Sequence, residues 1–155
     1  MKNYKELVAD SLQSVPECMA WDLEEKLNSE QQPLLLDIRE GDEFDAMHIE
    51  GSIHVPRGIL EGACDWGYDD TIPELVQARD KEVVVICRSG NRSALAAEVM
   101  QKMGYKHVIS LQGGLRGWND YDQPMLDKDG NTVDPDEADE VMRSKVSPEQ
   151  MGPSN

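Results

Sequence analysis

Seven consecutive residues, Cys87-Arg-Ser-Gly-Asn-Arg-Ser93, bring together a nucleophile, two permanent positive charges and several residues small enough to let a ligand approach the backbone. A free thiol, with a pKa of about 8.5, is only a few per cent ionised at neutral pH, and the thiolate is the attacking species. Arg88 and Arg92 favour that anion, and guanidinium groups also match oxyanions with paired donors. The chemistry such a stretch can do is attack by sulfur on a small anionic partner.

The flanking patterns say how the thiol is held. Val83 to Ile86 is a β-branched apolar run that reads as a buried strand ending at Cys87. From Ser93 the spacing turns helical, with Leu95, Ala96, Val99, Met100 and Met103 three and four residues apart and Gly104 placed to end the helix. The thiol is therefore expected at the carboxyl end of a strand and the amino end of a helix, where loop N–H groups and the helix dipole converge.

Leu34 to Ile38, Gly51 to Val55 and His107 to Leu111 read as further strands, the first interrupted by Asp37. Ser14-Val-Pro-Glu17 has the form of a capping box, opening a helix that buries Met19, Ala20, Leu23 and Leu27 and ends near Asn28. Arg39 to His48 reads as a short charged helix with Phe44 and Met47 turned inward, and Leu75 to Ala78 as another. Residues 57–73 read as irregular, and Gly113 to Trp118 as a turn with a short closing segment. Strands alternating with helices predict an α/β fold with a parallel sheet covered on both faces, and active loops in such sheets lie at the carboxyl ends of strands. Residues 1–13 read as a polar N-terminal extension that allows a short helix, 14–120 as the folded domain, and 121–155 as an acidic C-terminal tail, partly extended.

A chain of 155 residues suits one domain with a real core. Its net charge of −16 is unevenly spread: −12 over residues 1–73, +3 over 74–118 and −7 over 119–155. An anion would meet local attraction within a repelling surround, and nucleic acid and anionic membrane are excluded as expected partners. Nothing approaches the roughly 18 consecutive apolar residues of a membrane span, and no apolar stretch follows the N-terminal Met-Lys-Asn-Tyr-Lys-Glu as in a secretory signal. Cys18, Cys64 and Cys87 are odd in number and widely spaced, which argues against a disulfide framework or zinc site and for reduced thiols in a cytoplasmic protein. Asp127 to Asn131 opens like a calcium loop, but Thr132 and Ala138 stand where glycine and glutamate are required, so a turn is expected there. No metal and no cofactor are expected.

Three stretches together resemble the single-domain rhodaneses (thiosulfate sulfurtransferases). They are Leu35-Leu-Asp-Ile-Arg-Glu-Gly-Asp-Glu-Phe44 with His48-Ile-Glu-Gly-Ser-Ile-His-Val-Pro56, then Cys87 to Ser93, then Gly104-Tyr105 with Val108-Ile-Ser-Leu-Gln-Gly-Gly-Leu-Arg-Gly-Trp118. The resemblance covers residues 14–120 and implies a rhodanese-like α/β fold, five parallel strands flanked by helices on both faces. It also implies that Cys87 attacks the outer sulfur of thiosulfate, releases sulfite, and passes the persulfide sulfur to cyanide or a thiol. Carried over by position, the N–H groups of Arg88, Ser89, Gly90, Asn91, Arg92 and Ser93 cradle that sulfur, and Arg88 and Arg92 bind the sulfonate. Met47 departs from the glycine the family often places before the histidine found here at His48, which concerns packing.

Asp37, Arg39 and Glu43 read as a structural ion-pair cluster near the loop rather than an acid/base set, and Arg57 as a supporting residue of an irregular rim. His48, His54 and His107 have structural readings, since an ionised thiolate needs no general base. Cys64 reads either as an idle buried cysteine or as a resolving thiol for the Cys87 persulfide. Two other functions fit the same loop. One is a persulfide carrier or sensor that docks a partner protein as its sulfur acceptor. The other is a cysteine phosphatase or arsenate reductase, whose chemistry resembles C-x5-R; here the second arginine comes one residue early, at Arg92, and the narrower cradle favours a sulfur atom over phosphate.

Overall fold

The central strand forms at Glu82–Ile86 (β4, the fourth in chain order), with every residue from Val83 to Ile86 removed from solvent. Its neighbours are Leu34–Asp37 (β2) and His107–Leu111 (β5), and Glu17–Cys18 (β1) and Ile53–His54 (β3) close the two edges. The order is β1-β5-β4-β2-β3, and all four pairings are parallel. This computed structural model describes residues 1–153.

Alternation along β4 divides the interior in two. Val83, Val85 and Cys87 face a core with Leu36, Val108, Leu60 of the helix Leu60–Ala63 (α4), Leu75 of Pro73–Val76 (α5), and Ala96, Ala97 and Met100 of Asn91–Lys102 (α6). Val84 and Ile86 face the other way, against Leu35, Leu111, Leu23 of Ala20–Leu27 (α2), Leu115 and Trp118 of Gly114–Asp120 (α7), and Ala138 and Met142 of Pro135–Met142 (α8). A strand buried on both faces must be apolar throughout, which is why β4 is continuous Val and Ile rather than alternating. Ser93, Ala94, Ala96 and Ala97 are the small buried residues that bring α6 close to the sheet, while Leu95 and Val99 of the expected apolar stripe are only half-buried.

The helix expected from Ser14 starts later. Pro16 and Cys18 give their carbonyls to the N–H groups of Ser110 and Gln112, so this segment becomes the edge strand β1. The α2 helix begins after Met19, whose N–H is taken by the Asp22 carboxylate (3.0 Å), a cap that displaces the expected one. Unpaired N–H groups on the β5 edge thus outweigh local capping propensity. The N-terminal residues form the helix Tyr4–Leu12 (α1), capped by Asn3, whose Oδ1 accepts the Glu6 N–H; it packs along α6. The C-terminal stretch contains α8, capped by Asp134, and a short antiparallel bridge pairs Leu126 with His48. Asp127 Oδ1 accepts the N–H groups of Asp129 and Asn131, which makes the calcium-like stretch a side-chain-closed turn. Among the described residues no helix is long and apolar enough to cross a membrane.

The helix expected from Arg39 forms only over Gly41–Ala46 (α3), because Arg39 is drawn inward. Its Nε and Nη2 bond both carboxylate oxygens of Asp37, and Nη2 also donates to the Met47 carbonyl (2.6 Å). Both residues are buried, so β2 ends in an ion pair within the protein. His54 Nε2 donates to the Arg39 carbonyl (2.7 Å), and His48 Nδ1 to that of Phe44 (2.9 Å), with the Phe44 ring stacked between the two imidazoles. Met47 is buried as expected, while Phe44 is only half-buried.

Losing one partner of a buried ion pair leaves the other charged and unpaired. Arg39→Met is therefore expected to lower stability by about 3–5 kcal/mol in urea denaturation, and Asp37→Leu with Arg39→Met to recover part of that loss. A single variant as stable as wild type would show that the pair does not hold this strand end.

Candidate active site

Cys87 follows directly on β4 and is 1% exposed. Its sulfur accepts hydrogen bonds from the N–H groups of Gly90 (3.1 Å) and Ser93 (3.3 Å), and its thiol lies 3.3 Å from the Ser93 hydroxyl as donor. The Ser93 hydroxyl in turn bonds that of Ser110 on β5 (2.7 Å), both residues being fully buried. Gly90 caps α6 at φ +93°, a conformation natural to glycine, and places two N–H groups of the helix start on the sulfur.

The second half of the cradle is made by α7. The N–H groups of Leu115 and Arg116 bond the carbonyls of Cys87 (3.0 Å) and Arg88 (3.1 Å). In trans peptides the following N–H groups, those of Arg88 and Ser89, are thereby turned away from α7. This contact requires Gly114: a Cβ there would lie 2.4 Å from the Cys87 carbonyl oxygen and 2.5 Å from the Arg88 carbonyl carbon. Residues 113–118, expected as a turn, are in fact this supporting helix.

The sulfur is reached through a cavity of about 70 Å³ lined by Cys87, Arg88, Ser89, Asn91, Arg92 and Tyr4. Every expected loop residue is thus either on the wall or, for Gly90 and Ser93, on the sulfur itself. The two arginines differ. Arg92 makes a two-point pair with Glu43 (2.8 and 2.9 Å), whereas Arg88 is exposed and has no salt-bridge partner among the described residues. Arg88 also lines an adjoining cavity of about 130 Å³ with Arg39, Glu43, Met47, Val141 and Met142.

The supporting set is only partly assembled. Asp37 and Arg39 form their own pair, and Glu43, grouped with them by sequence, belongs with Arg92 instead. Arg57 is paired with Glu61 on its own helical turn and is not on the cavity wall. Cys64 is fully buried and does not line the cavity, and burial pushes its thiol pKa up, which disfavours the thiolate a resolving role needs. Sequence reasoning missed Ser110, Gly114 and Tyr4. A serine within the apolar run Val108-Ile-Ser-Leu was the one local signal, for Ser110.

Comparison with known proteins fits this geometry. A family model, the rhodanese-like domain, matches residues 19–121, and the chain belongs to that family. It is 34% identical over 110 residues to the "Putative sulfur carrier protein YrkF" of Bacillus subtilis, an alignment covering 71% of this chain and 54% of that one; the chain spans about half the length of that relative. It is 35% identical over 86 residues to the thiosulfate sulfurtransferase GlpE of Tolumonas auensis, covering 54% of this chain and 70% of GlpE. Among solved structures, a Rhodopseudomonas palustris protein of unknown function, described as a "Possible Tyrosine Phosphatase", is similar with a TM-score of 0.71 and 30% identity over 81% of this chain and 95% of its own.

The Glu43 carboxyl is held below the usual carboxylate range, first by the hydrogen bonds from Arg92 and against the opposing effect of burial. A lowered folded-state pKa adds stability above the ordinary glutamate value and loses it as pH falls through the lowered one. Wild type should therefore exceed Glu43→Gln in urea midpoint near neutrality, and the gap should close as pH drops below about 4. A gap independent of pH would mean that the carboxylate charge is not what holds Arg92.

Proposed function

We propose that the protein is a sulfurtransferase that carries sulfane sulfur on Cys87, taking it from thiosulfate and delivering it to cyanide or a thiol. The observation that carries this reading is a buried sulfur receiving two backbone N–H bonds at the base of a small cavity edged by two arginines. The N–H groups of Gly90 and Ser93 already point at the sulfur, so they can offset the charge it carries as sulfur is transferred.

In the first half-reaction the Cys87 thiolate attacks the outer sulfur of thiosulfate. A new S–S bond forms, the S–S bond of thiosulfate breaks, and sulfite leaves with its electron pair. In the second, cyanide attacks the outer sulfur of the persulfide anion, thiocyanate departs, and the Cys87 thiolate is restored. A thiol acceptor instead leaves as its own persulfide. No oxidant or reductant enters the cycle. Arg88, which has no salt-bridge partner among the described residues, is assigned the larger share of sulfonate binding, while Arg92 is shared with Glu43. Family membership and the likeness to GlpE support the reaction class.

A second reading is a persulfide carrier whose acceptor is a protein thiol, favoured by the likeness to a protein named as a sulfur carrier. Free turnover separates the two, since a carrier loads sulfur without rapid release to cyanide. The phosphatase reading predicts hydrolysis of a phosphate ester instead.

Thiocyanate formation from thiosulfate and cyanide is expected to fall to background in Cys87→Ser. Arg88→Ala should raise the thiosulfate KM by about tenfold or more with kcat little changed, the pattern of lost uniform binding, and by more than Arg92→Ala does. Activity retained in Cys87→Ser would refute the assignment of the nucleophile.

A further inference from the structure

The cavity at Cys87 has one wall that does not come from its loop. Tyr4, the first residue of α1, lines it together with Arg88 and Arg92, and residues 1–18 lie outside the stretch matched by the family model. Its placement is held at both ends of the helix. Asn3 caps α1, Val8 and Ser11 are buried, and beyond the far end Ser14 and Gln101 of α6 exchange hydrogen bonds (Ser14 hydroxyl to Gln101 Oε1, 3.0 Å; Gln101 Nε2 to the Ser14 carbonyl, 2.8 Å). Tyr4 thus stands by the first turn of α6 and Ser14 by its last, so the two helices run in the same direction. Tyr4 is 52% exposed, and its hydroxyl has no hydrogen-bond partner among the described residues.

The size of the space is the second observation. At about 70 Å³ the space holds only a few water molecules. Sites for organic ligands run to roughly 300–1,000 Å³. The space suits a small inorganic anion, and the Tyr4 side chain forms part of its wall. Burial and the nearby Cys87 raise the phenol pKa above its ordinary value, which already leaves the hydroxyl a donor at neutral pH.

We propose that Tyr4 is a specificity-determining residue of this site: its ring closes the cavity to donors larger than a small inorganic anion, and its hydroxyl donates a hydrogen bond to an oxygen of that anion. The inference rests on the sulfur-transfer reading of Cys87.

The test compares wild type, Tyr4→Phe and Tyr4→Ala with two sulfur donors, thiosulfate and benzenethiosulfonate, and cyanide as acceptor. Tyr4→Phe keeps the ring and should raise the thiosulfate KM about three- to tenfold at unchanged kcat. Tyr4→Ala should raise the ratio of kcat/KM for the aryl donor over thiosulfate by about tenfold or more. An unchanged ratio in Tyr4→Ala together with an unchanged KM in Tyr4→Phe would overturn the proposal. If wild type accepts sulfur from neither donor, it is the sulfur-transfer reading that fails. The wall is then judged by alkylation of Cys87, followed by peptide mass. The rate with N-phenylmaleimide relative to iodoacetamide should rise in Tyr4→Ala, and an unchanged ratio would overturn the role of the ring.

Discussion

The site depends first on how the peptide units of Cys87 and Arg88 are turned. Their carbonyls are bonded by Leu115 and Arg116 at the start of α7, and the closeness of that contact leaves no room for a side chain at Gly114. With those carbonyls engaged, the loop can present N–H groups to the sulfur rather than competing oxygen dipoles. The α6 start then supplies Gly90 and Ser93. A thiolate or persulfide placed there meets donors fixed before any reaction occurs, and such fixed dipoles cost no reorganisation as charge moves. Both helices are set by the sheet: α6 packs on one face, α7 on the other, and β4 between them delivers Cys87 to the point where their amino ends meet.

Charge is layered around that point. The chain as a whole is strongly acidic, yet residues 74–118 are net positive, and Arg88 and Arg92 edge the cavity. Each of the nearby arginines is used differently. Arg39 is buried and satisfied by Asp37 and the Met47 carbonyl, so it shapes the strand end rather than the cavity. Arg92 is held in position by Glu43, and Arg88 keeps its charge toward solvent. Beside the cavity, then, stand one guanidinium with no salt-bridge partner among the described residues and one already oriented by Glu43. The acidic surround discourages larger polyanions, an effect that weakens beyond about 10 Å at 0.1 M salt.

Much of this was legible in the chain. The β-branched run before Cys87 and the helical spacing after it are local patterns, and both elements formed where the pattern placed them. The edge strand β1 was not legible, because two residues carry no periodicity and their strand character comes only from the open N–H groups of β5. The same holds for Glu43, whose sequence neighbours Asp37 and Arg39 suggested one cluster while its partner lies 49 residues away at Arg92. Tyr4 is the extreme case: nothing in a polar N-terminal stretch marks a tyrosine as part of a cavity wall, and only the packing of α1 along α6 puts it there. Short-range patterns mark Cys87 and the loop that cradles it; the rest of the cavity wall is set by long-range contacts.

The central claim, that Cys87 carries a transferable sulfur in a reversible cycle, is tested most directly by intact mass spectrometry of the purified protein before and after thiosulfate, and again after cyanide. The account predicts a gain equal to one sulfur atom, lost on adding cyanide and absent from Cys87→Ser. No gain from thiosulfate, or a gain that survives in Cys87→Ser, would contradict it.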